Sequence, residues 1–302
     1  MLTRRLALGA ALAAASFAGA AHAQSWRSAY PELVFAVIPA ENASGVTERY
    51  GPFIEYLSKE LGAKVTLRIA NDYAAVIEGQ RNGSIHLASY GPASYARAVV
   101  TGVKVEPFVT TVNTDGTMGY HSVFYVRADS PYRTIEDLKG KNLGLVDPNS
   151  TSGNNVPRFT LNKLKINPDT FFARVTYTGS HENAIIALQQ KTVDAAANWW
   201  NAENDSNLTR MASKGLAKQD DFRIISKSDL IPSSPFAYLA SLPPDLKAAI
   251  AKAFDEAPTK AKAAFDKLSD GKDRGFAKVD AKTYEPVVEL IKFVDQLRKQ
   301  KS

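Results

Sequence analysis

The sequence predicts an α/β protein of two lobes, the second inserted into the first, with helices at its C-terminal end. Three observations predict it. Apolar strand-like runs alternate with amphipathic helical runs from residue 33 to residue 101, the pattern of sheets covered by helices. A second alternation of the same kind begins after Gly119 and ends near residue 226. From Pro244 onward the apolar spacing is helical.

The elements follow in order. The chain opens Met1-Leu2-Thr3-Arg4-Arg5, runs apolar to Ala21 and reaches Ala21-His22-Ala23. That is a positive start, an apolar stretch and an Ala-X-Ala cleavage signature, so residues 1–23 read as a signal peptide cut after Ala23. The apolar stretch is at the short end for a membrane span and no charged stop follows it. Thr3-Arg4-Arg5-Leu6 leaves both the general and the twin-arginine export routes open. Residues 33–38 then read as a buried strand and 47–61 as a helix closed by Gly62. Strands are expected at 64–69 and 84–89, and helices at 73–82 and 92–101, the latter with Pro92 in its first turn. In the second unit, strands are expected at 120–126, 143–146, 174–178, 193–198 and 222–226. Helices are expected at 134–138, 155–164 and 182–190. Helical runs at 244–254, 258–268 and 284–298 complete the chain. The lobes are therefore 24–122 with 230–302, and 123–229.

Composition narrows the function classes. The formal charge is +6, and +4 once Arg4 and Arg5 leave with the signal. Lys and Arg are spread along the chain, a solvated surface without a nucleic-acid footprint. Mild positive charge favours capture of an anionic small molecule. There is no cysteine, hence no disulfide, thiolate chemistry or lipid-anchored N-terminus. A mature chain of about 280 residues can build two cores or one large one.

The most informative run is Asp147-Pro148-Asn149-Ser150-Thr151-Ser152-Gly153, between an apolar strand and a helical stretch. Three hydroxyls and a glycine there aim side-chain donors and free backbone N–H groups at one spot. The helix dipole adds its positive end, and together these hold an oxyanion without a metal. Ser, Thr and Asn are also the ordinary capping residues, so an N-cap alone explains the run equally well.

With that run in place, the chain resembles the phosphonate-binding proteins of ABC importers, the PhnD type, which includes phosphite and hypophosphite binders. Further marks are Asn71-Asp72-Tyr73-Ala74, Tyr90-Gly91, Asp115-Gly116, Gly119-Tyr120, Val156-Pro157, Gly179-Ser180-His181-Glu182, Glu203-Asn204 and Leu230-Ile231-Pro232. The resemblance covers nearly the whole mature chain. It implies a periplasmic binding protein of type II-like fold whose two lobes close on a ligand by hinge motion. It also implies an inner-membrane permease as partner and no cofactor or metal. The phosphonate head would be held by Ser150, Thr151 and Ser152, with Tyr73, Tyr120 and His181. Tyr73 and Tyr120 fit core packing as well, and His181 fits a helix cap.

At the tail end the resemblance implies two carboxylates for an ammonium group. Glu203 keeps one; the second falls at Ser234 and is absent here. The stretch Asn198-Trp199-Trp200-Asn201-Ala202-Glu203 reads two residues longer than the family pattern. Trp199 could offer an indole face to an alkylated ammonium or simply pack the lobe interface, and only one of Trp199 and Trp200 can face the cleft. The expected ligand is an aminoalkyl- or related alkylphosphonate. Three other readings compete: an inorganic oxyanion binder (phosphite, phosphate or sulfate), a sensory module that presents a ligand, and an enzyme. The enzyme reading finds no support, because His86, His121 and His181 form no metal-ligand spacing.

Overall fold

The computed structural model describes residues 25–299; the expected signal peptide and the last three residues lie outside them. The first lobe is built on a six-stranded sheet. Its strands are β1 (Glu32–Val37), β2 (Lys64–Ile69), β3 (Leu87–Ser89), β4 (Val105–Asn113), β12 (Pro235–Leu239) and β13 (Asp273–Lys278). They lie in the order β13-β4-β12-β3-β1-β2. β1 runs parallel to β2 and β3, whereas β12 and β13 pair antiparallel.

The second lobe is a seven-stranded sheet. It comprises β5 (Gly119–Arg127), β6 (Asn142–Leu145), β7 (Arg174–Tyr177), β8 (Ala195–Ala202), β10 (Phe222–Lys227) and two short strands, β9 (Asp205–Ser206) and β11 (Ile231–Pro232). The main order is β10-β5-β8-β6-β7, with β11 beside β5 and β9 beside β8. The chain passes from one sheet to the other between β4 and β5 and returns from β10 through β11 to β12.

Local chemistry sets the helix limits. Helix Ala43–Leu61 starts because the Asn42 side chain accepts from Gly45 N, and Gly62 at φ 60° closes it. Helix Tyr73–Arg81 starts on Asp72, which accepts from Ala75 N. Each lobe buries its own apolar interior. Phe35, Phe53, Phe236 and Phe254 anchor the first. Two clusters fill the second, one around Val123, Ile185 and Leu188 and the other around Phe124, Leu143 and Leu161.

Several expectations change. The strand expected at 84–89 shrinks to Leu87–Ser89, and the one at 193–198 begins at Ala195 and runs on to Ala202. The short helix at 134–138 is a 3-10 turn, Glu136–Leu138. Helix Pro244–Lys260 runs through Pro258 and breaks at Ala261 instead. Strands β4, β12 and β13 escaped the sequence reading. They carry Pro107, Pro235 and Gly275 and lack a clean apolar alternation, and cross-chain pairing holds them in place. The sheets are therefore mixed, with antiparallel strands added to a parallel start. Among the described residues no helix is long and apolar enough to cross a membrane.

Candidate functional site

The junction Asp147–Gly153 is shaped by its own backbone. Ser150 caps a single π-turn, Thr151–Asn155, that leads into helix Val156–Lys163. The expected helix start at residue 155 is thus preceded by a wider turn. Ser150 Oγ accepts from Gly153 N at 3.1 Å, and Asn155 N bonds to Ser150 O at 3.0 Å. The amides of Thr151 and Ser152 lie in the first turn, where a helix offers no carbonyl of its own. Ser122 Oγ donates to Ser152 O at 2.7 Å and pins the turn to β5.

Thr151 reaches across to the other lobe. Its Oγ1 accepts from Ala93 N at 2.9 Å, at the start of helix Pro92–Val100. Gly91 permits this approach, since a Cβ there would meet Thr151 Oγ1 at 3.2 Å. The hydroxyl proton of Thr151 stays available to donate.

These residues form one end of a cavity of about 230 Å³ lined from both sheets. Tyr73, Tyr120, Ser150, Thr151, Ser152, His181, Trp199 and Ser234 all line it. The Tyr73 hydroxyl is raised by burial and opposed by a bond with Ser150. Burial pushes Tyr120 up to about 12, opposed by bonds with Thr151 and Ser152. Both phenols are therefore neutral donors.

His181 is the first residue of helix His181–Gln189, and Ser180 is the cap, accepting from Asn183 N. Burial pushes the imidazole down to about 4; Asn198 opposes this and the Arg210 charge adds to it. Its Nδ1 meets Asn198 Oδ1 at 3.0 Å, while Asn198 Nδ2 donates to His181 O. That arrangement puts the proton on Nδ1 and leaves the Nε2 lone pair 3.5 Å from Ser150 Oγ. The residue is thus neutral without ligand and suited to accept from Ser150 or from a protonated oxyanion.

Glu203 does not join the site. It is exposed in the turn between β8 and β9 and is absent from the cavity wall. The reason is where the strand ends, since its period of two would otherwise carry residue 203 to the cavity face. Trp199 and Asn201 face the cavity, β8 ends at Ala202, and the turn sends residue 203 into solvent. The returning strand β9 presents Asp205 instead. Trp200 faces away, 5.9 Å from the His121 ring and with the Lys227 ammonium 4.5 Å from its own ring. The Trp199 indole already carries the Arg210 guanidinium at 5.0 Å, so one face is taken by the protein's own cation.

The charged groups at this end escaped the sequence reading. Asp205 accepts from Asn201 Nδ2 at 2.7 Å, and Asn201 Oδ1 accepts from Asn113 Nδ2 at 3.2 Å. Asp273, at the start of β13, lines the same cavity. Burial pushes its carboxyl up to about 7, with the Asp205 charge adding and Thr111, Arg210 and Arg49 opposing. The two-residue surplus before Glu203 was a signal for Asp205. Nothing local marks Asp273.

A network of ion pairs joins the lobes beside the cavity. Glu41, after β1, meets Arg49 Nε at 2.7 Å, Lys214 Nζ at 2.8 Å and Arg210 Nη1 at 3.8 Å. Burial would raise its carboxyl, but the Arg49 and Arg210 charges and the Lys214 bond outweigh that and hold it at about 2. Asn42 N donates to Glu182 Oε2 at 2.8 Å, and His181 N to Ala40 O at 3.1 Å. Among the described residues no group of three His, Cys, Asp or Glu could hold a metal ion.

Residues 35–284 match the family described as "ABC transporter, phosphonate, periplasmic substrate-binding protein". The chain belongs to that family. It is 34% identical over 227 residues to the "Phosphonates-binding periplasmic protein" of Escherichia coli, covering 74% of this chain and 64% of that one. It therefore spans less than two thirds of that relative's length. It is 32% identical over 247 residues to the "Phosphate-import protein PhnD" of Mycolicibacterium smegmatis, 78% of this chain and 75% of the other. A solved binding-protein component of an ABC phosphonate transporter from Pseudomonas aeruginosa superposes with a TM-score of 0.78 at 29% identity. It covers 86% of this chain and 85% of its own. The fold is thus the two-lobed one of periplasmic binding proteins, and the family is one of substrate binders, not enzymes.

Proposed function

We propose that this family member captures an alkylphosphonate in the periplasm and hands it to the permease of an ABC importer in the inner membrane. Its signal peptide is removed after Ala23, and its second lobe runs from Gly119 to Pro232, a few residues beyond the expected 123–229 at each end. One observation carries the reading: hydroxyls of Ser150, Thr151, Ser152, Tyr73 and Tyr120 line the cavity between the two sheets, beside a capped turn that leads into a helix. Neutral donors of this kind hold a doubly charged oxyanion through charge-assisted hydrogen bonds. His181 accepts the proton of a singly charged head.

The tail end favours an aminoalkylphosphonate. Asp205 and Asp273 supply two carboxylates although Glu203 faces solvent and residue 234 is a serine. An ammonium between them relieves their mutual repulsion. The second reading is an inorganic oxyanion, and the name of the mycobacterial relative favours it. A bare phosphate would leave both aspartates without a counter-charge.

Titration calorimetry with 2-aminoethylphosphonate, ethylphosphonate, phosphate, phosphite and sulfate decides between them. The phosphonates should bind tightest. Phosphate or phosphite binding more tightly than either phosphonate would replace this reading with the second one.

A further inference from the structure

The ion pairs beside the cavity fall into two sets. One set lies within the lobes. Glu41 and Arg49 of the first lobe meet at 2.7 Å, and Glu182 and Lys214 of the second at 3.4 Å. The other set crosses between them. Lys214 Nζ lies 2.8 Å from Glu41, and Arg210 lies 3.8 Å from Glu41 and 2.6 Å from Asp270. Asn42 N donates to Glu182 Oε2 at 2.8 Å in the same place. Among the described residues Arg210 has no acid of its own lobe at ion-pair distance, and Asp270 has no base of its own.

These charges therefore have two arrangements. With the lobes apart, Glu41 keeps Arg49 and Lys214 keeps Glu182, while Arg210 and Asp270 return to water. No buried charge is stranded, so the lobes can separate. With the lobes together, the crossing pairs form around Glu41 and Glu182, both buried, where a charged hydrogen bond is stronger than in water. The same pairs grip two residues of the second lobe that line the cavity, His181 and Trp199. His181 N donates to Ala40 O, next to Glu41, at 3.1 Å, and the Arg210 guanidinium lies over the Trp199 ring at 5.0 Å. Gly45 leaves the space that the Lys214 ammonium occupies, since a Cβ there would lie 2.6 Å from Lys214 Nζ.

We propose that Glu41, Arg210, Lys214 and Asp270 form a latch between the lobes that holds the closed protein on its ligand and sets how slowly any ligand leaves, whatever its tail. This rests on the capture reading above, though not on the choice of ligand. Lys214 and Asp270 are positioning residues, because neither lines the cavity. They favour the closed state over the open one, and a contact made only in the closed state slows opening more than it speeds encounter.

The test measures affinity by calorimetry and rates by stopped-flow tryptophan fluorescence, for 2-aminoethylphosphonate and ethylphosphonate, in wild type, Lys214→Met, Asp270→Asn and Gly45→Ala. Lys214→Met and Asp270→Asn should each release both ligands about tenfold faster, by the same factor for the two, with association changed by less than about twofold. Gly45→Ala should also speed release, by displacing the Lys214 ammonium. Alanine is the better helix former, so a Tm at or above that of wild type separates this effect from a loss of folding. Unchanged release in Lys214→Met and Asp270→Asn, a change confined to one ligand, or a loss carried by the association rate overturns the latch while leaving phosphonate capture intact. If neither phosphonate binds wild type, the phosphonate reading falls, and the same rates measured with phosphate and phosphite decide the latch. Binding of none of the four would remove both.

Discussion

The two ends of the cavity are built on opposite principles. The head end is centred on one contiguous run, Ser150 to Gly153, whose donors are neutral and whose geometry comes from a capped turn. The tail end is assembled from Asp205 and Asp273, far apart in the chain, and its character is charge. At the head, burial keeps His181 and both tyrosines uncharged. At the tail, burial drives Asp273 toward protonation and leaves a repulsion for the ligand to relieve. The contrast separates affinity for the shared oxyanion from choice among tails.

The comparison breaks most severely at Gly153. A Cβ there would lie 2.4 Å from Val146 Cβ, so Gly153→Val should cost on the order of 3 kcal/mol of stability and abolish binding of every phosphonate. Urea unfolding and calorimetry check both effects. Retained binding would show that the turn does not form the head site.

His181 tests whether the head end is kept neutral. Its folded value lies below the ordinary imidazole value, so its contribution to stability is full above pH 6.5 and is lost as pH falls toward 4. At pH 4.5 the loss should be about 2–3 kcal/mol. His181→Gln should flatten that part of the stability–pH curve, read as Tm between pH 7 and 4.5. An unchanged slope would mean the imidazole is not buried.

Thr151→Ala should cost about 1–3 kcal/mol of affinity, and equally for 2-aminoethylphosphonate and ethylphosphonate, because the head is common to both. A loss confined to one ligand would contradict the division into two ends. Asp205→Asn should do the reverse at pH 8.5. The amine ligand loses about 1–2 kcal/mol and the neutral one gains or holds, since the repulsion it faces is removed. The smallest effect belongs to Glu203→Gln, where solvent exposure limits any change to under about 0.5 kcal/mol for either ligand. A larger effect there would restore Glu203 to the tail.

Much of this was legible in the chain. The buried strands β1, β2 and β6 and the capped helices were readable because each is set by local spacing and end chemistry. The hydroxyl run was readable for the same reason. Strands β4, β12 and β13 were not, since their pairing partners lie far away in the chain. Trp199 and Trp200 could not be told apart until the register of β8 against β5 placed Trp200 opposite His121.

The centre of the oxyanion cradle is written into consecutive residues, because a cap, a turn and its free amides need nothing from elsewhere in the chain. The tail end exists only once the chain has folded. Asp273 sits in an unremarkable stretch, Gly271-Lys272-Asp273-Arg274. Its meaning comes from lining the same cavity as Asp205, and a charge has no unusual chemistry until folding removes its water and sets another charge near it.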